Sequence, residues 1–143
     1  MSKEFLDTFA RFVTIVSAHA EPAETFMLAR SEARWNDAES SFAEIIGLHS
    51  ELTTLCADLL AYAKTPGVPK SAIDAPSEWT AFLGRQIEEE RDSLSKRIVI
   101  SLKQAKRHSR KTAKQAEHIL QRLVDADNAA ARYRDDLAKR GED

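Results

Sequence analysis

The chain has 143 residues, 43% hydrophobic and 31% charged, with 4 glycines, 4 prolines, 1 cysteine and a formal net charge of −2. So few breakers beside so much Ala, Glu, Lys, Leu and Arg is the composition of long helices, and it argues against a strand-rich fold. A lone Cys56 excludes an intrachain disulfide, and no apolar run approaches the roughly 20 residues that a spanning helix needs.

From the N-terminus, Phe5, Phe9, Phe12 and Val16 recur by threes and fours and predict a first helix over about 2–18. The apolar run Phe12 to Val16, followed by Ala18-His19-Ala20, imitates a secretory cleavage site. Asp7 and Arg11 interrupt it and Glu4 accompanies Lys3, so a cytoplasmic chain is expected instead. Pro22 suits the first turn of a new helix, where its missing N–H does little harm, and predicts a kink or restart.

A second helix is expected over about 23–64. Its apolar positions are Trp35, Ala38, Phe42, Ile45, Leu48, Leu52, Leu55, Leu59 and Tyr62, and Cys56 among the leucines reads as a buried, inert thiol. Thr65-Pro66-Gly67-Val68-Pro69 stops the helix and opens a loop over about 65–75.

A third helix is expected over about 76–139, started by the capping side chains and early proline of Asp74-Ala75-Pro76-Ser77. Trp79, Leu83, Ile87 and Leu94 lead into a seam of Ile98, Leu102, Ala105, Ser109, Thr112, Ala116, Ile119, Leu123, Ala126, Ala130, Tyr133 and Leu137. The mean step is near 3.5 residues, the repeat of a supercoiled helix. The one β-branched cluster, Ile98-Val99-Ile100, is read as part of that helix.

Folding about residue 70 pairs residue i with about 140 − i, which brings Trp35 to Ala105 and Phe9 to Ala131. The expected fold is therefore all-α. It is a single elongated domain over 1–143, a long antiparallel helical hairpin, coiled-coil-like, with a kinked first arm. Phe9, Trp35, Phe42, Ile98, Leu102, Ala105, Ile119 and Leu123 are its expected seam and interface. Two arms have little core of their own, so a homo-oligomer is expected.

The sequence offers little for catalysis. No Glu-x-x-His pair is present, and His19, His49, His108 and His118 have no partner at helical spacing. Phosphate-binding glycine loops, nucleophile elbows and zinc knuckles are missing as well, so no enzymatic activity, metal or cofactor is expected.

Charge is the informative feature. Between Lys96 and Arg122 nine Lys or Arg stand against Glu117 alone, a local +8 that leaves −10 for the remainder. Lys96, Lys103, Arg107, Arg110, Lys111 and Lys114 fall within roughly 100° of helical arc and form a candidate anion-binding face. Internal pairing is the plainer use, with Asp37 opposite Lys103, Glu44 opposite Lys96 and Glu32 opposite His108, but these acids are too few. No Phe, Tyr or Trp lies between Lys96 and Arg122 for bases to stack on. Two functions are expected: a non-enzymatic assembly module that self-associates and docks another protein, or a binder of anionic membrane or nucleic-acid phosphates.

Overall fold

The computed structural model describes residues 2–141. They form α1 (Ser2–Ala18), α2 (Ala20–Ser31), α3 (Trp35–Leu60), α4 (Ser71–Ser95) and α5 (Leu102–Lys139), with no strand among them. The interruption expected near Pro22 amounts to one residue. His19 keeps near-helical dihedrals (φ −70°, ψ −25°), and the Ala23 N–H reaches back to its carbonyl at 3.3 Å. Pro22 is buried in the first turn of α2, where an absent donor leaves no ladder bond unmade.

The helix expected over 23–64 is divided at residues 32–34. Ala33 takes φ 54°, a left-handed conformation uncommon without glycine. Arg34 holds the turn from both sides, pairing with Glu32 (2.8 Å) and with Asp37 (2.5 Å).

The helix expected over 76–139 is also two. It begins earlier, at Ser71, so Pro76 lies inside α4 and is fully buried. The helix then ends at Ser95. Arg97 turns left-handed (φ 49°), the β-branched cluster lies in an irregular connection, and Ser101, itself extended, caps the start of α5. The start is a capping box: Gln104 N–H donates to Ser101 Oγ (3.1 Å), and Ser101 N–H donates to Gln104 Oε1 (3.0 Å). Both signals, the Ile-Val-Ile run and Ser-x-x-Gln, stood in the sequence; the seam's period overrode them.

The divisions change what packs on what. Arg11 pairs with Glu51, and Phe26 meets Phe42 at 5.4 Å, so α3 retraces α1 and α2. His49 and Cys56 of α3 both contact Thr80 of α4. Arg122 pairs with Glu78 and His108 with Glu90, so α5 runs back along α4. Phe5, edge-on to Tyr133 at 6.0 Å, closes the ring. Four helical arms are thus packed together, α1 and α2 counting as one. The neighbours of α5 are α4 and, more thinly, α1 and α2, so the expected pairing of Trp35 with Ala105 does not organise the packing.

The larger core cluster includes Phe5, Phe9, Phe12, Leu52, Leu59, Trp79, Leu123 and Tyr133. A smaller one, Phe26, Ala29, Ala38, Phe42, Ile45 and Ile87, fills the other end. Full burial of such side chains contributes about 1.5–3 kcal/mol each. The second half of α5 joins the larger cluster through Leu123, Ala126, Ala130, Tyr133 and Leu137. Its first half reaches the interior through Ala105, half-buried Thr112, Ala116 and half-buried Ile119. Apart from Ile119, that half is attached by small side chains.

The junction of α1 and α2 carries a pH dependence. His19 Nε2 is buried without a hydrogen-bond partner, and burial, then the nearby His49, lowers its pKa below 6.5. The unfolded chain therefore binds this proton first. Stability from this site is complete above pH 6.5 and declines as pH falls below it. Urea midpoints should drop between pH 7.5 and 5.5, with a one-site slope no steeper than about 1.4 kcal/mol per pH unit. His19→Leu should flatten the profile; an equal slope in that variant would place the proton elsewhere.

Candidate anion-binding face

Helix α5 forms here because Lys, Arg, Gln and Ala are good helix formers and Ser101 caps its start. Its charges, however, oppose its own dipole. The first turn has no acid, while Lys103 and Lys106 stand near the positive end, an arrangement that costs roughly 0.3–1 kcal/mol per charge at low salt.

Lys96, Lys103, Lys106, Arg107, Arg110, Lys111 and Lys114 are all exposed. Among the described residues, no carboxylate lies within 4.0 Å of any of them except Lys96. The acids expected to neutralise them are engaged elsewhere or apart. Asp37 and Glu32 hold Arg34, and Glu90 holds His108 at 3.2 Å. Glu44 makes no ion pair among the described residues, and Lys96 is paired instead with Asp92 of its own helix end (3.2 Å). Internal pairing does not account for the face. Lys96 leaves the unpaired set, and Lys106, outside the arc considered from sequence, joins it. Leu102, Lys103, Lys106, Arg107 and Arg110 line one shallow, open groove.

The expected seam residues separate into two groups. Phe9, Phe42, Ala105 and Leu123 are buried, and Trp35 and Ile119 are half-buried. Ile98 and Leu102 are not in the seam: they are 43% and 44% exposed, because residue 98 is in a connection and residue 102 begins a new helix.

Sequence reasoning missed the residue that positions this region. Arg30 of α2 is 5% exposed, and its guanidinium pairs with Glu90. It also donates to Ser93 Oγ (2.8 Å) and to the Ile98 carbonyl (3.4 Å), and lies 5.7 Å from the Phe26 ring centroid. Glu90 accepts from Arg30 and lies 3.2 Å from His108 Nε2, so one carboxylate brings α2, α4 and α5 together. Nothing local marks Arg30 as interior, since buried arginine is rare unless paired and its partner lies 60 residues away.

The other sites are quiet. Burial pushes the half-buried Cys56 thiol above its ordinary value, with Thr80 Oγ1 at 3.1 Å partly offsetting this. A thiol shifted that way is a weak nucleophile at neutral pH. Among the described residues no three His, Cys, Asp or Glu are placed to hold a metal ion. No described helix is long and apolar enough to cross a membrane.

No protein-family model, curated protein or solved structure matches this chain. The fold is that of an all-helical protein with packed arms, in which Lys103, Lys106, Arg107, Arg110, Lys111 and Lys114 of α5 are exposed and have no carboxylate partner among the described residues.

Proposed function

We propose that the chain is a non-catalytic interaction module whose bundle holds α5 as a docking surface for a phosphate-bearing polyanion. The observation that carries this reading is the set Lys103, Lys106, Arg107, Arg110, Lys111 and Lys114. These are exposed and unpaired among the described residues, and Lys103 and Lys106 are set against their own helix dipole. An anion laid along them relieves that conflict and neutralises mutual repulsion. The test is binding of the intact chain to polyanions at rising salt. Affinity should fall steeply between about 50 and 200 mM salt. A chain that binds neither anionic vesicles nor duplex DNA at low salt would sink the reading.

Self-association is a second reading with its own support. The accessible surface is 8792 Å², against about 7,400 Å² for a compact monomer of this mass. Leu120 (39% exposed) and Val124 (53%) lie with Ala113, Lys114, Glu117 and Gln121 along one open groove of α5. In this reading two copies align these flanks, antiparallel and coiled-coil-like, as an oligomer. Light scattering on dilution tests it: a monomer at micromolar concentration, unchanged by Leu120→Ser, would rule it out.

A further inference from the structure

We infer that the polyanion is an anionic lipid bilayer, and that the α4–α5 connection is the part that enters it. This rests on the polyanion reading and goes further, because the face is not purely cationic. Where α4 turns into α5 the chain displays Ile98 (43% exposed), Val99 (57%) and Leu102 (44%). Around them, from Lys96 to Lys114, are eight Lys or Arg and no Asp or Glu. Of the nearest carboxylates of α4, Asp92 pairs with Lys96, Glu90 with Arg30 and Glu88 with Arg91, which leaves Glu89 exposed and without an ion pair among the described residues.

The aliphatic tip is held outward by a built support. Arg97 N–H donates to the Leu94 carbonyl (3.0 Å) and Ile98 N–H to the Ser93 carbonyl (3.1 Å). The buried Arg30 guanidinium holds the Ile98 carbonyl from the protein side, and the Ser101 capping box fixes the exit into α5. With the backbone so engaged, the three side chains are presented to solvent on a fixed platform.

A bilayer satisfies both halves of this surface at once. Its hydrocarbon boundary takes the aliphatic tip, and its phosphates meet the collar of Lys and Arg. Duplex nucleic acid offers phosphates alone and leaves Ile98, Val99 and Leu102 in water. A second copy of the same tip would bring cations against cations. The complementary partner is an anionic bilayer.

The experiment uses the full chain with three probes: vesicles of phosphatidylcholine with phosphatidylserine, vesicles of phosphatidylcholine alone, and duplex DNA. The parent should bind the mixed vesicles best. Ile98→Ser, Val99→Ser and Leu102→Ser together should weaken that binding by about a hundredfold while leaving duplex binding unchanged. Because all three positions are exposed, helicity and the thermal midpoint should be retained. Independently, an environment-sensitive dye on Val99→Cys, in a Cys56→Ala background, should shift to the blue with mixed vesicles only. No shift, or full vesicle binding by the triple variant, would overturn insertion. Equal binding to phosphatidylcholine alone would overturn the role of the collar. Preference for duplex would overturn the bilayer and leave the polyanion reading standing, whereas a parent that binds no probe overturns both.

Discussion

Replacing Lys103, Arg107, Arg110 and Lys114 together with glutamine should abolish most polyanion binding and leave the fold intact. The four side chains are exposed and make no ion pair among the described residues, so nothing in the interior depends on them. Glutamine ranks close to Lys and Arg in helix propensity, so α5 should keep its helicity. Removing positive charge from the first half of α5 also eases the conflict with its dipole, so the thermal midpoint should hold or rise slightly. At a membrane surface each Lys or Arg is worth about 1 kcal/mol, so four together amount to roughly a thousandfold in affinity. On duplex DNA the salt slope should fall by about 4. Vesicle co-sedimentation and salt titration measure both effects. Undiminished binding would show that the face is not the contact, and a collapsed thermal midpoint would show that the charges are structural.

Arg30→Met should be the most destabilising single change in the smaller core region. It leaves Glu90 with His108 alone and removes the donor to Ser93 Oγ and to the Ile98 carbonyl. Breaking a buried pair from one side typically costs about 3–5 kcal/mol, and partial exposure of Glu90 should bring this case near the lower end. Arg30→Met with Glu90→Leu should recover much of that loss, since the desolvated charges then leave together and His108 is exposed enough to be solvated. Chemical denaturation of the two single variants and the double gives the coupling. Amide exchange in residues 97–101 should also quicken in Arg30→Met. A loss under about 1 kcal/mol, with exchange unchanged, would show that the clamp holds little.

Helical periodicity was legible because it is local. A residue's helical face depends on neighbours three and four positions away, and the seam steps of α5 landed correctly at Ala105, Ala116, Leu123, Ala126, Ala130, Tyr133 and Leu137. The all-helical class follows from the same regularity and from the scarcity of breakers. A stop by Thr65 was equally plain, since Thr65 to Pro69 cannot continue a helix, although α3 ends at Leu60, short of the expected residue 64. The cationic run needed no structure to be seen.

Tertiary structure alone decided which charges meet, and it fixed where the long helices break, although the Ile-Val-Ile run and Ser-x-x-Gln marked one of the two breaks locally. Ala33 and Arg97 sit in left-handed conformations that neither residue prefers, and Arg34 and Arg30 hold the backbone around them through side-chain contacts. Once the rod divided at residues 96–101, α5 lay against α4 and met Glu78 and Glu90, not Asp37 and Glu32. Pairing between charges depends on which arms become neighbours, and no local pattern encodes that. The same division turned Ile98 and Leu102 from expected seam residues into an exposed tip and left the lysines and arginines from Lys103 to Lys114 without carboxylate partners among the described residues.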